Sequence, residues 1–226
     1  MDDQAGIRAV LFDIDGTLLV TGGAGGAAWR RAFQELHGID VDIADHTDAG
    51  MTDPEIAAIV FRKAIGREGT PEERSKAIGC YLKHLPETVA ESDGYRVMPG
   101  VEKLLNDLID EGLLLGLVTG NIEAAAHIKL ARAGFNRYFS FGGYGSDSAD
   151  RTEVTKAALS RGELVSGGAL GDSSSIAVGD TPRDVRAGHG AGIEVVGVAT
   201  GSYSLDQLRE AGADWSLETV ERDFPV

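Results

Sequence analysis

The chain is short of cysteine, of positive charge and of long apolar runs, and each shortage removes a class of explanation. Cys80 is the only cysteine among 226 residues, so no disulfide can form within the chain, and a reducing compartment is expected. No apolar run approaches the roughly 20 residues that span a bilayer. The opening stretch MDDQAGIRAV is acidic and lacks the basic region and apolar core of a signal peptide. Together these point to a cytoplasmic protein. Lysine and arginine number 21 against 36 aspartates and glutamates, a formal net charge of −15. That field repels nucleic acid and anionic membranes, so neither is expected as a partner. It also repels an anionic substrate, which then needs a metal ion or a local cationic side chain. His37, His46, His84, His127 and His189 have no close metal-binding spacing, which argues against zinc. TGGAGGAAWRR (21–31) lacks the GxxxxGK[ST] pattern of a P-loop and reads as a hinge. GDSSSIA (171–177) lacks the G-x-S-x-G of an exposed catalytic serine and reads as a solvated loop. There are no internal repeats.

What is present is a rhythm of apolar runs and helical patterns. The runs are AVLFD (9–13), LLLGLVTG (113–120), YFSF (138–141), SIAVGD (175–180) and IEVVGVATG (193–201). Most are continuously apolar, as expected of strands buried on both faces of a parallel sheet. Helical patterns separate them at 101–112, 122–134, 152–162 and 181–192. Strand–helix alternation of this kind predicts an α/β fold with a doubly wound parallel sheet. Residues 21–96 break the rhythm, with three helical patterns and no strand. The expected organisation is a core of residues 1–20 and 97–226 with a small α-helical cap, 21–96, inserted between the first two strands. The flanks TGGAGGA (21–27) and ESDGYRVMPG (91–100) are rich in glycine and polar residues, as hinges are.

Ligands of open parallel sheets bind at the carboxyl ends of the strands. Read there, the chain offers Asp13 and Asp15, then Thr119, Gly120 and Asn121, then Asp180, Thr181 and Asp184. Carboxylates converging from separate strands repel one another unless a hard cation joins them. Mg²⁺, held by a few carboxylates together with a substrate phosphate, fits that requirement.

DIDGT (13–17), VTGN (118–121) and GDTPRD (179–184), in this order and spacing, resemble the haloacid dehalogenase superfamily. The likeness extends over essentially the whole chain and is greatest to its phosphoglycolate-phosphatase-like branch, which carries a helical cap after the first strand. The resemblance implies an HAD-like core and a Mg²⁺-dependent phosphatase acting on a small phosphorylated metabolite through an aspartyl-phosphate. It makes Asp13 the nucleophile. Asp15 becomes the general acid and then the base, and its main-chain carbonyl a metal ligand. Gly16 allows the turn and Thr17 fixes it. Thr119 hydrogen-bonds the phosphoryl group with the backbone of Gly120 and Asn121. Asp13, Asp180 and Asp184 hold the metal, the last directly or through water.

The chain departs from the family pattern at one point. A lysine, often followed by proline, usually precedes the helix before the last acidic motif; here the stretch is SADRTEVTKAAL (148–159). Arg151 stands where that lysine would be, just before the helix, and Lys156 lies inside it. An arginine can grip phosphate bidentately, which favours Arg151. In AGMTDPE (49–55) the proline starts a helix with Thr52 or Asp53 as its cap. Similar cap loops in the family face the active site, giving Thr52 and Asp53 a substrate-sensing role. A phosphomutase would share all these residues, and a non-catalytic phosphate sensor would share the fold. A dehalogenase lacks the second acid of DIDGT. Whether the protein is a monomer or a homodimer is open.

Overall fold

Every residue of β1 (Ala9–Phe12) is apolar and buried. Successive side chains of a strand leave on opposite faces. Val10 and Phe12 accordingly enter one hydrophobic cluster, and Ala9 and Leu11 the other. A strand buried on both sides belongs inside a parallel sheet. The computed structural model describes residues 7–171 and 174–226 and places β1 in the middle of a six-stranded parallel sheet. The order is β5 (Phe141–Gly143), β4 (Leu114–Val118), β1, β6 (Ser175–Gly179), β7 (Glu194–Val198) and β8 (Trp215–Leu217). Helices α4 (Val101–Asp110) and α5 (Glu123–Ala131) bury their apolar faces on one side of the sheet. Helices α6 (Arg151–Ser166), α7 (Pro182–Gly190) and α8 (Leu205–Glu210) cover the other. This is the doubly wound α/β core expected from the alternation of patterns. The expectations for the opening MDDQAG and for Asp172 and Ser173 of the serine-rich loop lie outside the described residues.

Register positions the site. Phe12 pairs with Leu117 on one side and Val178 on the other, so β1, β4 and β6 end level with one another. The residues that follow these three ends therefore come out side by side.

Several elements differ from their sequence reading. The strand read into YFSF (138–141) starts later: Phe135–Tyr138 is a 3₁₀ turn, and β5 runs through Phe141, Gly142 and Gly143. Two glycines usually argue against a strand, but α6 leaves no room here, since a Cβ on Gly143 would overlap the Val154 carbonyl. Helix α8 and strand β8 carried too short an apolar pattern to be noticed. Helix α6 begins at Arg151 itself, because the Asp150 carboxylate caps it by accepting the Thr152 N–H at 2.8 Å.

The inserted segment holds α1 (Ala24–His37), α2 (Asp53–Val60), a π-helical turn (Phe61–Ile65) and α3 (Pro71–Glu91). Helix α1 starts within the glycine-rich stretch read as a hinge. Both α2 and α3 open on capping boxes, Thr52 with Glu55 and Thr70 with Glu73, each followed by a proline in the first turn. The three helices share a hydrophobic cluster of their own. The Trp29 indole stacks on the Tyr81 ring, with centroids 4.4 Å apart and planes 7° from parallel. Ile122 and Ala125 of the α5 region join this cluster, while Ala126 and Leu130 belong to the core, so α5 is a wall common to both.

The segment is not strandless at its edges. Chain leaving and chain returning pair as an antiparallel ribbon, β2 (Leu19–Thr21) with β3 (Tyr95–Val97). Beyond it Gly22, with φ of +61°, lies against Gly94 so closely that a Cβ would overlap the Gly94 backbone. Ser92 Oγ ties the crossing by donating to the Thr21 carbonyl at 2.7 Å. Gly22→Ala should therefore destabilise the protein by more than the roughly 1–2 kcal/mol of the left-handed backbone alone. Urea unfolding reads this as a lower midpoint; an unchanged midpoint would mean the crossing has space to spare.

Candidate active site

Three buried carboxylates meet where β1 and β6 end. Asp13 follows β1 and Asp180 follows β6, while Asp184 sits in the first turn of α7. Each offers an oxygen, and the three oxygens lie within 4.8 Å of one another. Thr181 caps α7 through a capping box with Asp184, whose Oδ2 accepts from the Thr181 hydroxyl at 2.7 Å. Gly16 has φ of +89°, and a Cβ on it would overlap the Asp180 carboxylate, so the DIDGT turn can pass here only as glycine. The Thr17 hydroxyl, expected to fix that turn, reaches across instead and donates to Asp180 Oδ1 at 3.3 Å.

The electrostatics follow from crowding. Burial and Asp184 push the Asp13 carboxyl up from 3.8 to about 7, despite Arg151. Burial, Asp184 and Asp13 push Asp180 to about 9. The three cannot all be ionised in this space without a cation. Hard oxygen donors around one point are the donor set of a hard divalent ion.

One cation is built in. Arg151, 7% exposed, directs Nη2 at Asp184 and lies 3.5 Å from Asp13 Oδ1. Burial works against its charge, but Asp184 and Asp13 more than offset that and hold its pKa raised. Its Nε is buried and has no hydrogen-bond partner among the described residues. Lys156 pairs with Glu153 on the exposed side of α6, away from the carboxylates.

Asp15 stands on the far side of Asp13, with its side chain 41% exposed. Its Oδ2 accepts from Asn121 Nδ2 at 2.7 Å and from Lys129 Nζ at 2.6 Å. Thr119 is fully buried after β4, and its hydroxyl accepts from both nitrogens of Asn121. The Gly120 carbonyl accepts the Asp53 N–H at 2.9 Å, and Asp53 Oδ2 accepts the Ile122 N–H at 2.9 Å. The helical cap is thus hydrogen-bonded to the loop after β4. Burial raises the Asp53 carboxyl to about 6, against the pull of Lys129.

A cavity of about 230 Å³ opens between these groups. Asp13, Asp15, Thr119, Gly120, Asn121 and Arg151 line its floor, and Asp53, Ile56, Trp29 and Tyr81 its cap side. Of the two cap residues singled out from the sequence, Asp53 faces the cavity. Thr52 does not; its hydroxyl is spent on the α2 capping box. Sequence reasoning missed Lys129. Along α5 and its N-cap, Ile122, Ala125, Ala126, Lys129 and Leu130 form one stripe, and all five are buried. A lysine in the apolar stripe of a helix was the available signal. Elsewhere, Glu35, Cys80 and His84 come together between α1 and α3, a grouping that spacing alone did not reveal. There Lys83 Nζ takes both Glu35 oxygens, at 2.7 and 2.9 Å.

The family model of haloacid dehalogenase-like hydrolases matches residues 10–198. The chain belongs to that family and is a hydrolase. It is 28% identical to the phosphoglycolate phosphatase of Synechococcus elongatus, over 94% of this chain and 93% of that one. It is 22% identical to the pyrophosphatase PpaX of Oceanobacillus iheyensis, over 95% and 94% of the two chains. The β-phosphoglucomutase of Clostridium difficile has the same fold, with a TM-score of 0.73 at 20% identity, covering 95% of this chain and 92% of that one. Among the described residues no helix is long and apolar enough to cross a membrane.

Carboxyls whose pKa is raised in the folded state hold protons there that the unfolded chain releases. Their contribution is fully favourable below the unfolded value of 3.8 and is lost as pH rises towards about 7 for Asp13 and about 9 for Asp180. The metal-free protein should therefore melt at progressively lower temperature from about pH 5 to about pH 9. Asp180→Asn should flatten that slope. A slope unchanged by Asp180→Asn would trace it to overall net charge instead.

Proposed function

We propose that the protein is a Mg²⁺-dependent phosphatase that hydrolyses a small phosphorylated metabolite through an aspartyl-phosphate. The observation that carries this reading is the meeting of Asp13 with Asp180 and Asp184, where Asp13 and Arg151 line the floor of a cavity beneath the inserted helices. The names of its relatives, phosphoglycolate phosphatase and pyrophosphatase, support a phosphorylated small molecule as substrate.

Asp13 attacks the phosphorus of the monoester, and its carboxylate oxygen replaces the alcohol oxygen to give an acyl-phosphate. Asp15 gives its proton to the departing alkoxide. In the second half it takes a proton from the water that attacks the same phosphorus, releasing inorganic phosphate and restoring the Asp13 carboxylate. Arg151, which lines the cavity, binds phosphoryl oxygens through the part of its guanidinium not engaged by Asp184. Thr119 and the Gly120–Asn121 backbone hold the phosphoryl group from the β4 side. Asp13, Asp180, Asp184 and the Asp15 carbonyl would hold Mg²⁺, which supplies the charge that lets Asp13 stay ionised beside a phosphate dianion. The cap excludes bulk water, and Asp53 contacts the leaving group.

Phosphate release from a panel of phosphorylated metabolites, with and without EDTA, tests the reading. Product analysis on a sugar phosphate separates hydrolysis from isomerisation. Asp13→Asn should fold, since it removes one of three repelling charges, and should lose turnover altogether; substantial residual activity in the purified variant would sink the nucleophile. Arg151→Ala should lower kcat/KM about 10- to 150-fold, the worth of one charge-assisted bond of roughly 1.5–3 kcal/mol, while Lys156→Ala stays near wild type. The reverse pattern would move the cationic role to Lys156.

A further inference from the structure

A buried ammonium is expensive unless its surroundings repay it. Lys129 stands on a helix face that is otherwise Ile122, Ala125, Ala126 and Leu130, and its side chain is 7% exposed. It has two partners near its Nζ, Asp15 Oδ2 at 2.6 Å and Asn121 Oδ1 at 2.6 Å. Asn121 in turn donates through Nδ2 to the same Asp15 oxygen at 2.7 Å and to the Thr119 hydroxyl at 2.8 Å. Lysine, asparagine and aspartate thus close a three-membered ring of hydrogen bonds. The arrangement is directional: both donors fall on Oδ2, and Oδ1 accepts no hydrogen bond among the described residues.

We infer that Lys129 is a positioning residue that, with Asn121, clamps Asp15 by Oδ2 so that Oδ1 is the oxygen presented to the leaving group. The inference rests on the acid role given to Asp15 above. A mobile aspartate at 41% exposure rotates about two side-chain bonds, and proton transfer needs one oxygen within hydrogen-bond reach of the ester oxygen. Two donors fixed to a buried helix remove that freedom before substrate arrives. The anchor comes from α5, the wall common to core and cap clusters, and not from the strand end that carries Asp15. Lys129 also lines the cavity, so a rival role is direct contact with an anionic leaving group.

Three substrates separate these roles. p-Nitrophenolate departs without a proton. Glycerol phosphate needs the proton and has a neutral leaving group. Phosphoglycolate needs the proton and has an anionic one. Lys129→Met should lower kcat/KM for glycerol phosphate and phosphoglycolate alike by about 10- to 100-fold, yet stay within about threefold for p-nitrophenyl phosphate. Lys129→Gln, which is shorter but keeps a donor, should recover part of the loss, and it carries the test if the methionine variant fails to fold. Asp15→Asn is the reference for the acid itself; because Asp15 is also the base for the attacking water, it is compared by the alcohol released in the first turnover, which should discriminate among the esters in the same way. If Asp15→Asn loses first-turnover alcohol release equally from all three substrates, or if the wild type turns over no aliphatic ester, the proposed function fails and the clamp with it. If Asp15→Asn discriminates and the Lys129 variants lose all three equally, Lys129 is merely structural. Loss confined to phosphoglycolate would make Lys129 a substrate contact and overturn the clamp.

Discussion

The mutual repulsion of Asp13, Asp180 and Asp184 is the constraint around which the molecule is arranged. Three carboxyls within 4.8 Å of one another cost folding energy, and nothing in an apolar core compensates for them. The fold accepts that cost at one place, beyond the carboxyl ends of a sheet whose central strands are buried on both faces. Aligned registers bring the acids level, capping boxes and a glycine turn let them crowd, and Arg151 is drawn under them. The raised pKa values of Asp13 and Asp180 measure how incomplete that compensation is. An incompletely neutralised pocket attracts cations, which gives a protein of net charge −15 a means of meeting an anionic substrate.

Two kinds of cationic support surround the cavity, and they differ in chemistry. Arg151 presents a planar fork with donors pointing several ways, so it can bind Asp184 and still line the cavity. Lys129 is a compact charge already engaged by Asp15 and Asn121. The first is suited to a multi-oxygen anion that comes and goes, the second to holding one side chain still. Asp53, a carboxyl on the cap facing the same space, is kept partly protonated near neutrality by burial. The cap side of the cavity thus adds a carboxyl that titrates below those of Asp13 and Asp180 on the core side.

Much of this was legible in the sequence because the responsible signals are local. Continuous apolar runs located β1, β4, β6 and β7, and small acidic clusters after those runs located Asp13, Asp15, Asp180 and Asp184. Arg151 could be preferred to Lys156 from its place at the start of α6. What escaped notice depends on approach between distant segments. Gly142 and Gly143 form a strand only because α6 lies against them. The ribbon of β2 and β3 exists because the two ends of the insertion meet, 74 positions apart at Thr21 and Tyr95. Thr52 looked like a substrate contact and is consumed by its own helix. Lys129 was hidden in an alanine-rich helix, where only its place on the buried stripe sets it apart.

The cap meets the core partly through a bond that involves no side chain at all, Asp53 N–H to the Gly120 carbonyl. Such a bond is indifferent to mutation. A half-buried residue on the cap side of the cavity, such as Ile56, can change without forfeiting that seam. The seam can then persist while the side chains that shape the cavity above it change.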